Sequence, residues 1–218
     1  MKNYSSYVAE AIAAFSLVFI GAGSVLAGND ITGVALAHGL VLMCMIYATA
    51  HISGAHVNPA VTIGMLVTKK IGASRAALYI ISQLAGAAVA GFLLSAIFPP
   101  ATALNLGTPA LASGLPVASG VLVEAVLTFF LVFTIFGVAV DKRAPAGLYG
   151  LAIGLVLTFD ILAGGTLTGA AMNPARAFGP ALASGFWENH AVYWIGPIIG
   201  AIVAALIYDR LLSSKESR

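Results

Sequence analysis

The sequence predicts an all-α membrane protein in which six transmembrane helices and two re-entrant half-helices form an inverted repeat. Three observations support this fold class: an apolar composition, six stretches long enough to span a bilayer, and a motif that occurs twice. Of the 218 residues, 60% are apolar and 8% are charged, and the mean hydropathy is +1.00. Soluble domains carry about 25% charged residues because water surrounds them. A large aqueous surface is therefore excluded.

Six stretches have the length and apolarity of transmembrane helices, since about 20 residues cross ~30 Å of hydrocarbon. They run over Tyr7 to Ala27, Gly33 to Ala50, Ala76 to Phe98, Ser119 to Val140, Gly147 to Gly164 and His190 to Arg210. The first stretch is too long for a signal peptide, so we expect it to be a membrane span. The uncharged connection from Pro99 to Ala118 carries four prolines and predicts an irregular external loop.

Positive charge near the span ends predicts that both termini are cytoplasmic. Nine of the ten Lys and Arg residues fall on one side of the predicted bundle, and Arg176 alone falls on the other; the cytoplasmic side is the basic one. We expect a multi-pass protein of the plasma, or inner, membrane.

The net charge of +2 and the scattered basic residues argue against nucleic-acid binding. The single cysteine, Cys44, excludes an internal disulfide, and we expect it to be buried.

Two apolar stretches between the predicted spans are broken by Pro and Gly, and they repeat each other. The first reads GAHVNPAVTIG from residue 54 and the second reads GAAMNPARAFG from residue 169, so Asn58 and Asn173 are 115 positions apart. The same offset, to within one, relates Glu10 to Glu124. An internal repeat of this length indicates that the two halves of the chain have the same architecture.

The repeat divides one domain, residues 1–218, into halves of about 1–98 and 117–218. Each half has three spans, and an odd number of spans inserts the second half upside down relative to the first. Asn before Pro is a helix start, because Asn caps the first turn and Pro suits the first helical position. The ten residues from Pro59 to Thr68, or from Pro174 to Ala183, give ~15 Å of helix, which is half a bilayer.

The two half-helices should begin at the membrane midplane and reach it from opposite sides. Irregular backbone at that depth is tolerated only where it lines water or is buried in protein. We therefore expect the backbone ahead of each Asn to line a wet path, and the two Asn amides to donate hydrogen bonds into its centre. These backbone positions are Gly54, Ala55, His56 and Val57 in the first half and Gly169, Ala171 and Met172 in the second.

The paired HVNPAVT and MNPARAFGPA motifs, with SGAH before the first and a Glu early in the first and fourth spans, are specific in combination. Together they resemble the aquaporin or major intrinsic protein family across essentially the whole chain. The resemblance implies a homotetramer embedded in membrane lipid, with one pore in each subunit and no cofactor. It places six residues at the pore centre: Asn58, Pro59, Ala60, Asn173, Pro174 and Ala175.

Glu10 and Glu124 are ionisable residues inside predicted spans, where insertion of a charge costs at least ~2.5 kcal/mol. Their matching positions favour a shared structural role, in which each carboxylate accepts hydrogen bonds from the irregular backbone of its half. Proton relay is the alternative.

Arg176 has Val61 as its counterpart, so the repeat brings a lone cation to the external mouth. A buried ion pair explains it less well, because such pairs often fail to offset desolvation.

The resemblance places Arg176 in the narrow outer selectivity filter of the aquaporin family. His38 on its own is most simply a core histidine, and the resemblance assigns it to the filter with Ile161 and Ala170. A strict water channel has His at the Ile161 place and a bulky aromatic residue at the His38 place. The set is more similar to the plant vacuolar subgroup. We expect neighbouring Asp160 either to accept hydrogen bonds from loop backbone or to approach Arg176 through water.

We expect a passive channel for water, and also for ammonia or other small neutral solutes, that excludes ions and protons. Two helix N-termini and Arg176 place positive potential along the path. A glycerol facilitator is the alternative in this class, although Ala177 follows Arg176 where that subgroup has Asp. An ion-coupled transporter also uses broken helices, but it needs titratable or Na⁺-binding groups at the midplane. No motif predicts an enzyme or a metal site.

Overall fold

The structure is a computed structural model that describes residues 4–98 and 105–213. Within these ranges all regular structure is helical. The helices are α1 (Tyr4–Leu26), α2 (Ile31–Ser53), α3 (Pro59–Val67), α4 (Ala73–Ile97), α5 (Val117–Ile135), α6 (Tyr149–Thr168), α7 (Pro174–Ser184) and α8 (Val192–Ile207). All except α3 and α7 are long and apolar enough to cross a membrane. The predicted all-α membrane fold with six spans is confirmed.

The helices α5 and α8 each continue into one π-helical turn, over Phe136–Val140 and Tyr208–Leu212. The two turns lie side by side, and the Tyr208 ring packs against Phe133 and Phe136 with centroids 5.2 and 6.2 Å apart. This end of the bundle, which also carries Lys69, Lys70, Arg75, Lys142 and Arg143, is called the basic end below. The opposite end carries a short 3₁₀ turn, Asn105–Gly107, and is called the loop end.

The two halves of the chain use the same helix crossings. The pair α1 and α4 packs as α5 and α8 do, while α2 and α6 pack against each other. A Cβ on Gly86 would lie 2.0 Å from the Ala11 carbonyl oxygen, and a Cβ on Gly200 would lie 2.1 Å from that of Ala125. Glycine is therefore required at both crossings, because the backbones touch there.

Two expectations about the outside of the bundle need revision or restriction. Cys44 is exposed, so the prediction that it is buried is wrong. Cys44 shares one face of α2 with Leu40 and Tyr47, and these two side chains are also exposed. Of the predicted loop over residues 99–118, residues 99–104 lie outside the described part of the chain. The remainder lies on the loop end, where the Ala112 N–H donates to the Leu167 carbonyl at 2.8 Å.

Candidate pore

The half-helices α3 and α7 begin beside each other in the middle of the bundle. The Asn58 side-chain oxygen accepts from the Ala60 N–H at 2.8 Å, and that of Asn173 accepts from the Ala175 N–H at 2.9 Å. Asn173 also accepts from the Arg176 N–H at 3.3 Å. Pro59 and Pro174 occupy the first helical positions. Both helices therefore start as the Asn-Pro pattern predicts.

Each Asn amide also reaches across to the other half. The Asn58 Nδ2 donates to the Met172 carbonyl at 2.8 Å, and the Asn173 Nδ2 donates to the Val57 carbonyl at 3.2 Å. We call these two reciprocal bonds the asparagine clasp. They occupy the Val57 and Met172 carbonyls, which were expected to face a wet path. Each amide nitrogen has a second N–H, so one donor per Asn is left for a ligand.

The backbone before each clasp residue is held in a left-handed conformation. In the first half Ala55 and Val57 have φ angles of 49° and 59°, and in the second half Ala170 and Met172 have 45° and 51°. Such angles are unfavourable for residues with a Cβ, by about 1–3 kcal/mol each. They persist only where surrounding contacts hold the backbone in place.

Glu10 supplies those contacts in the first half. Its carboxylate accepts from the His56 and Val57 backbone N–H groups at 2.9 and 2.7 Å. It also accepts from the Ser53 hydroxyl at 2.6 Å and from the Gln83 amide at 2.8 Å. The carboxylate is completely buried and serves four donors, two of which belong to the strained backbone.

Glu124 has the same position in the second half. Its carboxylate accepts from the Ala171 and Met172 N–H groups at 2.9 and 2.7 Å, and from the Thr168 hydroxyl at 2.7 Å. Pro197 lies 114 positions after Gln83, so the second half lacks the amide donor. Glu124 therefore serves three donors where Glu10 serves four.

The part that two tyrosines and one glutamine play in this network was not predicted from the sequence. The hydroxyls of Tyr79 and Tyr193 donate to the Ser53 and Thr168 carbonyls at 2.7 and 2.8 Å. The tyrosines are 114 positions apart, so the repeat offset could have found them. The signal for Gln83 is a lone amide in the middle of an apolar span.

A cavity of about 440 Å³ runs from the basic end to the middle of the bundle. Most of its wall is aliphatic, with Leu42, Ile46 and Leu157 as examples. Nine of the predicted site residues line it: His38, Gly54, Ala55, His56, Val57, Asn58, Ala171, Asn173 and Arg176. Its shape fits a path for small molecules, with a few polar groups to orient them in an apolar tube.

The cavity meets a pair of large polar side chains on the side of the loop end. The Arg176 Nε donates to the His38 Nε2 at 3.3 Å, and its Nη1 donates to the Gly107 carbonyl at 2.6 Å. The His38 Nδ1 lies 2.8 Å from the Val34 carbonyl, which is an acceptor only. Nδ1 must therefore carry the proton, which leaves Nε2 as the acceptor for Arg176. Among the described carboxylates, none forms an ion pair with Arg176.

The other ten predicted site residues do not line this cavity. Pro59, Pro174, Met172 and the two glutamates are described above, and the remaining five are grouped here with Asp160. Ile161 and Ala170 are both 2% exposed. Ala60, Ala175 and Gly169 belong to the half-helix starts and the backbone before them. Asp160 is 1% exposed, and its Oδ2 has no hydrogen-bond partner in the described ranges. Neither loop backbone nor Arg176 bonds to it directly, and nothing in the structure explains it.

No group of three or more His, Cys, Asp and Glu residues within the described ranges is arranged to hold a metal ion. The polar groups along the path include the amides of Asn58 and Asn173, three imidazoles and the Arg176 guanidinium. These groups bind and orient neutral polar molecules by hydrogen bonds.

Six membrane-crossing helices around a cavity, with two half-helices meeting at its centre, define a multi-pass membrane channel. The chain belongs to the major intrinsic protein family, whose model matches residues 1–208. It is 45% identical to aquaporin TIP4-4 of Zea mays, over 95% of this chain and 86% of that protein. It is 42% identical to a probable aquaporin, TIP3-2, of Arabidopsis thaliana, over 94% and 82%. The chain is thus a passive channel for water or small solutes, and not an enzyme.

The fold is also that of a solved relative. The structure superposes on the aquaglyceroporin from Plasmodium falciparum with a TM-score of 0.81, covering 97% of both chains at 23% identity. At this identity the likeness concerns the fold alone. The family and the six spans establish an integral multi-pass membrane protein. The expected plasma-membrane location has no support from the two plant relatives, which are TIP aquaporins.

Proposed function

We propose that the protein is a channel for water and ammonia that excludes ions and protons, with a selectivity filter formed by His38, Ile161, Ala170 and Arg176. The observation that carries the proposal is the contact between Arg176 and His38 in the wall of the cavity. Both Asn donors line the same cavity, and most of the rest of its wall is aliphatic. Molecules that follow the cavity reach a cation and an imidazole before they leave it.

The inverted repeat supports the two filter positions that do not line the cavity. The residues 115 positions away from His38, Ile161, Ala170 and Arg176 are Ile153, Ile46, Ala55 and Val61. All four counterparts line the cavity on the side of the basic end. Because the halves share one backbone plan, positions that face the path at one end should face it at the other.

Exclusion of ions follows from the charges and dipoles along the path. The N-termini of α3 and α7 meet at the asparagine clasp, and each carries about half a positive charge. Arg176 adds a full positive charge next to the filter. A cation that enters the cavity loses hydration energy and is repelled by this positive potential. A neutral molecule is not repelled by it.

Ammonia is proposed as a second solute because the filter lacks a second polar ring. Ile161 stands where a strict water channel has His, and an aliphatic side chain hinders ammonia less than water because ammonia loses less hydration energy. The His38 Nε2 already accepts a hydrogen bond from Arg176, which leaves few free hydrogen-bonding groups in the filter. Glycerol needs more room than His38 and Arg176 leave, and we expect it to pass slowly or not at all.

The test is the ratio of ammonia to water permeability in liposomes that contain the purified protein. Ile161→His should narrow the filter and add a polar side, so the ratio should fall. Ile46→His is the matched control, because it places the same side chain at the symmetry-related position in the wide part of the cavity. An unchanged ratio in Ile161→His, or an equal fall in both variants, would show that Ile161 is not part of the filter.

The basic end is proposed to be cytoplasmic, together with both termini, since Lys and Arg concentrate on that side. Single cysteines at Ser113 and Ala146, introduced in a Cys44→Ser background, test this orientation. Both positions are exposed, the first at the loop end and the second between α5 and α6. An impermeant thiol reagent outside intact cells should label the Ser113 position only. Labelling of the Ala146 position alone would reverse the orientation.

Assembly into a homotetramer within the lipid bilayer is also proposed, as membership of the family suggests. Many large apolar side chains face outward, among them Ile81, Val89 and Leu122, each more than half exposed. Such surfaces contact lipid or a neighbouring subunit. Chemical cross-linking in liposomes should give a ladder that ends at four subunits, and a ladder that ends at one subunit contradicts the tetramer.

A further inference from the structure

We propose that Gly21 of α1 is a positioning residue that sets the width of the filter, because it provides the seat for the His38 ring. This inference rests on the proposed function of the filter. It extends the specificity-determining set to a residue that has no side chain and does not itself face the solute.

The His38 ring lies directly on the backbone of α1. A Cβ built on Gly21 would lie 2.3 Å from Nε2, 2.5 Å from Cδ2 and 2.8 Å from Cε1 of His38. The outer edge of the ring therefore occupies the space that any other residue at position 21 would fill. His38 also lines the cavity. The ring is thus held between α1 and the path.

The neighbouring contacts fix the ring in this position. The His38 Nδ1 donates to the Val34 carbonyl at 2.8 Å, one turn earlier on α2, which sets the orientation of the ring. Nε2, the atom closest to Gly21, accepts from Arg176 at 3.3 Å. A shift of the ring therefore also moves the guanidinium.

The next residue of α1 supports the other anchor of Arg176. The Gly107 carbonyl accepts from Arg176 at 2.6 Å. Gly107 has a φ of +68°, and a Cβ on it would lie 2.9 Å from the Ala22 carbonyl oxygen. Two adjacent small residues, Gly21 and Ala22, thus let both partners of Arg176 approach α1.

A methyl group at position 21 must displace the ring. Ordinary contact begins near 3.4 Å, so the Nε2 edge has to move by about 1 Å. Because α1 lies behind the ring, the movement is toward the path, and it carries Arg176 with it or breaks the 3.3 Å bond. Either change narrows the opening and alters which solutes pass.

The experiment compares Gly21→Ala with Gly23→Ala in liposomes, and measures water and ammonia permeability per folded protein. Gly23 lies on the same helix, and its added Cβ would make only ordinary contact, 3.4 Å from Leu94. Gly21→Ala should lower ammonia permeability about tenfold and water permeability less, whereas Gly23→Ala should change neither. A double variant, Gly21→Ala with His38→Ala, should regain the lost permeability because the clash is removed.

Each outcome decides the proposal. Unchanged permeabilities in Gly21→Ala overturn it, and so does a double variant that stays as closed as the single one. If Gly21→Ala does not fold but the double variant folds and conducts, the contact with His38 is supported; failure of both to fold overturns it. A wild-type protein that passes neither solute contradicts the proposed function and this inference with it. An active wild type with an unaffected Gly21→Ala contradicts the role of Gly21 alone.

Discussion

The two ends of the cavity have the same backbone plan and different side chains. At the loop end the four proposed filter positions hold an imidazole, a guanidinium, an isoleucine and an alanine. Their counterparts at the basic end are Ile153, Val61, Ile46 and Ala55. The polar pair therefore stands opposite an aliphatic pair. The comparison shows that an inverted repeat supplies a symmetric backbone plan, and that two residues, His38 and Arg176, make one end of the path the more polar one.

The two halves also differ in the buried side chains that support the backbone of the path. Each half holds its strained backbone with one buried glutamate, but Glu10 accepts four hydrogen bonds and Glu124 accepts three. Gln83 accounts for the difference. The second half, whose half-helix carries Arg176, thus has fewer hydrogen bonds from its buried glutamate to the surrounding groups.

Removal of the two glutamates should have the largest effect. Glu10→Ala removes one acceptor from each of four donors, of which the two backbone N–H groups keep no other partner in the described part of the chain while the Gln83 amide keeps Thr62; each orphaned buried donor costs about 1–3 kcal/mol. Glu124→Ala leaves one donor fewer. We expect both variants to be destabilised by several kcal/mol, with Glu10→Ala the worse. Thermal unfolding in detergent measures the order, and the exposed Glu188→Ala is the control. A more severe loss in Glu124→Ala contradicts the donor count.

Removal of the asparagine clasp should have the next largest effect. Asn173 caps two N–H groups and Asn58 caps one. Asn173→Ala should therefore lower the free energy of unfolding by about 2 kcal/mol in total, and Asn58→Ala should lower it less. The serine variants separate the two roles, because Ser still caps a helix but lacks the Nδ2 donor of the clasp. Urea unfolding in mixed micelles measures the differences. Serine variants as stable as wild type would mean that the clasp adds nothing.

Removal of the positive charge at Arg176 should have a moderate effect on the leak of cations and protons. Arg176→Val should raise cation or proton leak about tenfold, equivalent to about 1.4 kcal/mol of barrier, while water still passes. Val61→Arg, the reciprocal change, puts the cation in the wide part of the cavity and should alter the leak little. Fluorescent pH and potential dyes in liposomes measure both. A folded Arg176→Val that conducts no water would show that Arg176 is structural.

The smallest effect should come from the basic end, outside the path. Hydrogen bonds from Arg143 hold the pKa of Asp141 below its usual 3.8, and Arg143 also donates to the Leu212 carbonyl at 2.7 Å. A carboxyl whose pKa is lowered by folding stabilises the protein above its usual pKa, and this contribution is lost as the pH falls further. Asp141→Asn should therefore be slightly less stable at pH 7. The difference should persist to about pH 4 and shrink below it. If it vanished by pH 5, the pKa would not be lowered.

The spans could be predicted from apolarity because a bilayer demands about 20 apolar residues, but their ends could not. The second span was expected to end at Ala50 and ends at Ser53. Ser53 is polar, and it is accommodated because Glu10 accepts its hydroxyl. The π-helical turns had no sequence signal at all. In the structure Tyr208, in one of the turns, packs against Phe133 and Phe136 on a different helix.

The site was predictable where a local rule or the repeat applied. Asn-Pro marks each half-helix start, and the offset of 114 or 115 pairs the two glutamates. Two glycines near the Arg176–His38 pair, Gly107 and Gly21, were not predictable. Gly107 acts through a backbone carbonyl, which every residue has, and Gly21 acts through the absence of a side chain. Only the tertiary arrangement shows that the space beside Gly21 is filled by His38.

The asparagine clasp has a consequence for biosynthesis. Its two bonds join residues 114 and 116 positions apart, and each bond needs one residue from each half of the chain. The first half can therefore enter the bilayer from the ribosome with its helix cap and its Glu10 contacts, but the Val57 carbonyl has no clasp partner until Asn173 has been translated and inserted. The centre of the molecule is then the last part to close, after both halves have reached the membrane.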